Sequence, residues 1–165
     1  MNYVFYDFET TGLDTKFSQP IQIAAIAVDE NFNVIDEPIN VRCKLKDGVI
    51  PNPSALLVQK VPIKLLKDEQ SFYTMMDFIH QKFSSWGPAT FIGYNSIRFD
   101  EEILRSSFFQ SLYDPYLTNT NNNSRTDLCK IVLGLSSLDK SVLNIPLNDK
   151  GRPSYKLENI AKNNN

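Results

Sequence analysis

The stretch YVFYDFETTG, residues 3–12, decides the fold of the chain because it joins a buried strand to two carboxylates. Both faces of residues 3–8 are largely apolar or aromatic, which is typical of a strand inside a sheet. Asp7 and Glu9 lie on one face of this strand, about 6.5–7 Å apart at their Cα atoms. Two like charges repel and are costly to bury, so the pattern predicts either a solvated strand end or a divalent cation.

Two more strands follow the first. Residues 21–28, IQIAAIAV, form an apolar run, and residues 39–45, INVRCKL, alternate apolar and polar side chains. The alternation indicates a strand with one exposed face. Because short links connect the three strands, the sequence predicts an antiparallel meander.

The later part of the chain is mainly helical. Helical spacing of apolar side chains occurs in residues 71–84 and 99–112, with a short buried strand at residues 89–94 between them. Further helices are expected at residues 127–135 and 157–162. This order predicts an α/β fold with a mixed sheet, in which three antiparallel strands precede helices and parallel strands.

Length and composition point to a single domain spanning residues 1–165. A hydrophobic content of 42% and a charged content of 22% are ordinary for a soluble globular protein. The N-terminus lacks the features of a signal peptide, and Cys43 and Cys129 fit no metal-ligand spacing, so we expect buried free thiols and a cytoplasmic location. The net charge of −2 gives no general attraction to polyanions, although carboxylate-held metal ions still bind phosphates.

A second acidic cluster lies in GYNSIRFDEEI, residues 93–103, where a buried strand leads into a helix. On this helix Asp100 shares the inward face with Ile103, whereas Glu101 and Glu102 point elsewhere. An acid at this position either complements the helix N-terminus or is a third ligand for a divalent ion. Magnesium and manganese prefer such oxygen ligands.

The two acidic motifs together resemble the first two motifs of the DEDD-type 3′–5′ exonucleases. The later stretches FDEEILRSSFFQSLYDPY, SRTDL and GRPSYKLENIAK are similar to the exonuclease domain of bacterial exodeoxyribonuclease I. This resemblance runs from about residue 3 to the last residue. It implies a ribonuclease-H-like fold, two divalent cations (Mg²⁺ or Mn²⁺) and stepwise hydrolysis of single-stranded DNA from its 3′ end to mononucleotides.

The resemblance also implies roles for individual residues and partners for the protein. Two metal ions about 3.5–4 Å apart activate a water molecule and stabilise the leaving oxygen. The partners implied are a single-stranded DNA 3′ end and, for the full-length relative, a single-stranded-DNA-binding protein, with no membrane. The catalytic metal ligands implied are Asp7, Glu9 and Asp100, and the substrate contacts are Glu9, Thr10, Thr11, Tyr94, Asn95 and Lys156.

One expected motif is missing from the 165 residues. The family has a late H-x(4)-D motif with a histidine and a fourth carboxylate, whereas the one histidine here, His80, lies on an amphipathic helix and is expected to be structural. Asp127 is expected to be an acid at a helix N-terminus. The predicted domain is therefore C-terminally incomplete and impaired in activity. A non-catalytic module that binds single-stranded nucleic acid and an exoribonuclease of the same superfamily are the alternatives.

Overall fold

The computed structural model describes residues 1–59 and 61–164. In this part of the chain five strands form one mixed sheet in the order β3-β2-β1-β4-β5. The first three strands are antiparallel, whereas β4 runs parallel to β1 and β5 runs parallel to β4. The predicted α/β fold with a mixed sheet is therefore confirmed. The strands are β1 (Asn2–Thr10), β2 (Pro20–Val28), β3 (Ile39–Arg42), β4 (Ala89–Gly93) and β5 (Ser124–Asp127).

Helices connect and cover these strands, and the longer ones lie where periodicity predicts them. Helix α3 shows how its sequence defines its ends, because the Ser71 hydroxyl accepts a hydrogen bond from the Thr74 amide and a Gly-Pro pair follows Trp86. The helices are α1 (Pro53–Gln59), α2 (Ile63–Leu66), α3 (Phe72–Trp86), α4 (Asp100–Gln110), α5 (Leu128–Leu138) and α6 (Leu157–Asn163), and a 3₁₀ turn covers Leu117–Asn119.

Two sequence predictions need correction. The strand predicted at residues 39–45 ends at Arg42, after which Cys43 makes only a single bridge to Gln70. Strand β5 was not predicted, since its sequence SRTD has no apolar alternation and its pairing partner β4 lies about 30 residues away.

The main hydrophobic core lies between one face of the sheet and helices α3 and α4. The side chains of Val4, Tyr6 and Phe8 on β1 are at most 5% exposed and pack against these helices. The opposite face of β1 carries Phe5, Asp7 and Glu9 and is less covered. We call this second face the open face. Strand alternation thus separates the core from the side chains predicted to carry function.

The two cysteines and the histidine occupy positions that the sequence predicted. Cys43 and Cys129 are buried free thiols, as predicted. The His80 ring stacks on Tyr113 with centroids 4.1 Å apart and meets Phe108 edge-on, so its predicted structural role is confirmed. In the described part of the chain, no helix combines the length and apolar character needed to cross a membrane.

Candidate active site

The first strand and the fourth helix meet at the predicted acidic cluster. Strand β4 pairs with β1 only as far as Phe5, so no strand of the described residues pairs with the last part of β1 on that side. The N-terminus of α4 takes this place, and the Asp100 Oδ1 atom accepts a hydrogen bond of 3.0 Å from the Phe8 amide. Since Phe8 lies between Asp7 and Glu9, the predicted third acid contacts the strand midway between the first two.

The three acids are held where ionisation is unfavourable. Asp100 is 4% exposed, and burial and then the charge of Asp7 raise its pKa to about 7, although the Phe8 amide acts in the opposite direction. Asp7 is open to solvent, yet the surrounding protein still removes enough water to raise the pKa of its carboxyl group. Burial and then the charge of Asp7 also raise the pKa of Glu9. Mutual repulsion and loss of water thus act on all three carboxyl groups.

The donor set is suited to a hard divalent cation. Among residues 1–59 and 61–164, none of the three acids forms a salt bridge, so no described basic side chain neutralises them. A cation bound between them would relieve the repulsion and lower their pKa values. No group of three or more His, Cys, Asp or Glu side chains in the described residues is already close enough to hold a metal ion. Metal ligation by Asp7, Glu9 and Asp100 therefore stays a prediction.

The two threonines predicted to border the substrate form the turn after β1. Thr10 is fully buried, and its hydroxyl donates to the Gly12 carbonyl at 2.6 Å. The Thr11 hydroxyl accepts from the Gln19 amide at 2.9 Å. Both hydroxyl groups thus fix the backbone beside Glu9, and their contact with substrate stays a prediction.

The second motif forms a tight turn at the end of β4. A Cβ atom at Gly93 would lie 2.3 Å from the Ser96 Cβ, so only glycine fits there. Asn95 has a φ of 58°, and its amide donates to the Asp127 Oδ1 at 2.8 Å. Asp127 also accepts from the Cys129 amide at 3.0 Å, which confirms its predicted place at the N-terminus of a helix. This aspartate therefore joins β5, α5 and the turn that carries Tyr94 and Asn95.

Tyr94 also anchors the C-terminal part of the described chain. Its hydroxyl donates to the Tyr155 carbonyl, next to Lys156. Burial and then the neighbouring Cys129 raise the pKa of Tyr94 to about 12, so this hydroxyl remains a donor at neutral pH. The bond holds the exposed Lys156 beside the second motif.

Two cavities meet at this tyrosine. One, of about 690 Å³, lies on the open face and is lined by Asp7, Tyr94 and Leu157 together with apolar side chains of the sheet. The other, of about 840 Å³, is lined by Tyr94, Asn95, Lys156 and Leu157. The structure thus brings Lys156, predicted from a distant stretch, to the same region as Tyr94 and Asn95, and Tyr94 links this region to Asp7.

One residue that the sequence left without a role has a central place in the structure. Glu101 was expected to point away from the acidic cluster, which is correct, but it is fully buried and hydrogen-bonded to three other segments. The residues themselves offered no signal for this, because its partners Tyr6 and Arg125 are 95 and 24 positions away.

Comparison with known proteins gives a consistent result. The profile of the exonuclease family RNase_T matches residues 4–162. Exodeoxyribonuclease I of Buchnera aphidicola subsp. Schizaphis graminum is 37% identical over 168 residues, which cover 100% of this chain and 34% of that protein. Exodeoxyribonuclease I of Escherichia coli K12 is 37% identical over 165 residues, covering 98% and 34%. The chain spans about a third of the length of the curated relatives that it matches.

Solved structures agree with these matches. E. coli Exonuclease I in complex with a dA16 oligonucleotide superposes with a TM-score of 0.92 at 34% identity, covering 99% of this chain and 36% of that one. An ExoI/SSB-Ct complex gives a TM-score of 0.93 at the same identity, with 99% and 36% covered. The likeness therefore covers the fold of nearly the whole chain.

Proposed function

Because the chain belongs to the RNase_T exonuclease family, we propose that it is a metal-dependent exonuclease domain that removes mononucleotides from the 3′ end of single-stranded DNA. The observation that carries this proposal is that Asp100 is held against β1 by the amide between Asp7 and Glu9, with no described basic side chain to neutralise the three acids. Relatives of similar sequence carry the name Exodeoxyribonuclease I.

The acids of this chain would hold the metal ions and orient the scissile phosphate between them. Members of the family generally depend on divalent metals, and we propose Mg²⁺ or Mn²⁺ here because both prefer carboxylate oxygens. Such ions, when bound, lower the pKa of a water molecule and stabilise the leaving 3′ oxygen. Asp7 and Glu9 contribute from the rigid strand, and Asp100 is held against that strand by the Phe8 amide.

The adjoining cavities would receive the nucleic acid strand. Lys156 is exposed beside Tyr94 and Asn95 and offers a mobile positive charge to a phosphate, without the forked geometry of an arginine. The apolar wall of the cavity next to Asp7 suits the faces of bases or sugars. The oligonucleotide in the E. coli structure and the SSB-Ct segment in the other complex support single-stranded DNA and a single-stranded-DNA-binding protein as partners of the whole protein.

A non-catalytic module that binds nucleic acid is the second candidate. It is favoured by the one histidine of the 165 residues, His80, whose ring is packed against Tyr113 and Phe108. It is also favoured by the acids, which do not form a ready-made metal site among the described residues. We therefore propose that activity of these 165 residues alone is weak.

A titration and a cleavage assay separate the two candidates. We expect the parent chain to bind Mn²⁺ in calorimetry and to shorten a 3′-labelled single-stranded oligonucleotide slowly. Asp7→Asn should weaken Mn²⁺ binding at least tenfold, because it removes one of the charges that attract the ion. The matched control is Asp149→Asn, which changes an exposed acid in a turn and should leave binding unchanged.

Three outcomes would count against the exonuclease proposal. Equal Mn²⁺ affinity in the parent and in Asp7→Asn would refute the metal site. Binding of oligonucleotide in the presence of a chelator, without cleavage when Mn²⁺ is restored, would favour the binding module. Faster shortening of an RNA oligonucleotide than of DNA of the same sequence would assign the domain to exoribonucleases.

A further inference from the structure

Glu101 is the most completely enclosed acid near the candidate site, although it is not one of the predicted ligands. Its side chain has no exposed surface. Oε2 accepts a hydrogen bond of 2.8 Å from the Tyr6 hydroxyl. Oε1 accepts from the Thr118 hydroxyl at 2.6 Å and from Arg125 at 2.5 Å. Four segments of the chain, β1, α4, the 3₁₀ turn and β5, therefore meet at one carboxylate.

The partners of Glu101 are adjacent in sequence to the candidate metal ligands. Tyr6 precedes Asp7 on β1, and Glu101 follows Asp100 on α4. The Tyr6 hydroxyl bond and the bond from the Phe8 amide to Asp100 thus join the same strand to the same helical turn at two points. Two attachment points restrict rotation and sliding of the helix end, which a single bond would permit.

Strand β5 also contacts Glu101 and adds a third attachment to the strand and the helix. Arg125 pairs with Glu101, and Asp127, two residues further along β5, holds the Asn95 amide. The same short strand therefore connects the Glu101 cluster to the turn of the second motif.

Stability alone does not account for a buried ion pair at this place. Moving two charges out of water is costly, and well-packed apolar residues of similar size are often as stabilising or more so. Buried polar groups that are hydrogen-bonded, as both oxygens of Glu101 are, do, however, hold their partners in one arrangement.

We propose that Glu101 is a positioning residue: through Tyr6 and Arg125 it fixes the first turn of α4, and thereby Asp100, relative to Asp7 on β1. This inference rests on the proposed function, because it assigns Glu101 a purpose at the same metal site. Groups that orient metal ligands commonly change metal affinity by about 10- to 100-fold when they are removed.

The mildest test removes a single hydroxyl. Tyr6→Phe keeps the ring in the core and deletes only the bond to Glu101, and we expect Mn²⁺ affinity in calorimetry to fall about tenfold. The matched control is Tyr3→Phe on the same strand, whose hydroxyl has no hydrogen-bond partner among the described residues and whose ring stacks on Phe32. The control should bind Mn²⁺ like the parent.

A second readout needs no metal. The Phe8 amide proton reports on Asp100 directly, because it donates to that carboxyl group. In Tyr6→Phe and in Glu101→Gln we expect this proton to exchange with solvent at least tenfold faster than in the parent, measured by nuclear magnetic resonance at a temperature well below unfolding. The amide of Ala27, on the remote half of β2, should exchange at the parent rate.

A double variant separates positioning from stability. Glu101→Leu with Arg125→Met replaces this ion pair by apolar side chains. Arg105, whose Nε lies 3.4 Å from the Glu101 Oε1, keeps its second pair with Glu102. If Mn²⁺ affinity stays low while the melting temperature returns to that of the parent, Glu101 positions the ligands. If affinity returns together with stability, the positioning role is overturned.

The results also distinguish this inference from the proposed function. A parent chain that binds no Mn²⁺ overturns the metal site and the positioning role together. A parent that binds Mn²⁺ and loses it in Asp7→Asn, but keeps it in both Tyr6→Phe and Glu101→Gln, overturns the positioning role alone.

Discussion

The acidic cluster at the end of β1 and the buried network around Glu101 lie side by side, but the buried carboxylate in each is compensated to a different degree. In the network, a fully buried carboxylate accepts hydrogen bonds from two hydroxyl groups and Arg125, and Arg105 forms a second salt bridge to it at 3.4 Å. In the cluster, Asp100 accepts a hydrogen bond from the Phe8 amide, and burial and then the charge of Asp7 raise its pKa to about 7. Adjacent residues of one helix therefore have opposite environments, one satisfied and one not.

This difference indicates where a ligand belongs. Tyr6, Thr118 and Arg125 all bind Glu101, so hydroxyl and basic side chains are present close to the acidic cluster. The neighbouring acids nevertheless lack a described cationic partner. Perturbed carboxyl groups without a partner are typical of functional sites, whereas a compensated carboxylate is typical of a structural one. The comparison thus supports the proposal that a cation binds at the cluster.

The largest effect is expected from a substitution of Glu101, the hydrogen-bonded carboxylate of the buried network. Glu101→Ala leaves Arg125 without its partner in a mostly buried place, so we expect the free energy of unfolding to fall by about 3–5 kcal/mol. Urea denaturation followed by circular dichroism measures this change. Glu102→Ala, the neighbouring exposed acid, is the matched control and should change stability by about 0.5 kcal/mol or less. Equal effects of the two substitutions would show that Glu101 is not specially stabilised.

An intermediate effect is expected for the acidic cluster, on the pH dependence of stability in the metal-free protein. Folding raises the pKa of Asp100 to about 7, so between about pH 4 and pH 7 the folded state holds a proton that the unfolded state has lost. Stability should therefore decrease as pH rises through this window, by on the order of 2 kcal/mol. Urea denaturation at a series of pH values, with a chelator present, measures the slope. The raised pKa values of Asp7 and Glu9 act in the same direction.

Asp100→Asn is the control for this pH dependence. The asparagine oxygen still accepts from the Phe8 amide, but the ionisable group is gone, so most of the slope above pH 5 should disappear. Saturating Mn²⁺ should also remove the decrease at pH 7 in the parent, because the ion favours the charged carboxylates. A parent whose stability rises from pH 5 to pH 7 without metal would contradict the raised pKa.

The smallest effect is expected at the edge of the site. Lys156 is exposed, so Lys156→Ala should leave stability unchanged and weaken binding of a single-stranded oligonucleotide about two- to fivefold at 0.1 M salt. Loss of one phosphate contact should also lower the slope of log affinity against log salt by about 0.7. Fluorescence anisotropy in the presence of Ca²⁺ measures both. Lys64→Ala, on α2, is the matched control, and an equal loss there would show that only net charge matters.

Local patterns predicted much of this architecture. The apolar character of both faces in residues 3–8 predicted a central strand, and the two-residue period of a strand placed Asp7 and Glu9 on one face. The apolar pattern also located α3, α4 and α5 to within a few residues. Strand pairing that involves polar segments was harder to predict from the sequence. Strand β5 has no apolar alternation, and the strand expected at residues 39–45 is shorter because its end lies outside the pairing with β2.

The sequence by itself determined which side chains face the core, which carboxylates share a strand face and which motifs resemble an exonuclease. These properties depend on residues a few positions apart, where the geometry of a strand or helix already sets the spacing. Only the tertiary structure decided that Asp100 meets the Phe8 amide and that Glu101 is neutralised by Arg125 and Tyr6. The partner of a buried charge is whichever residue the packed elements bring opposite to it, and neighbours in sequence do not encode that choice.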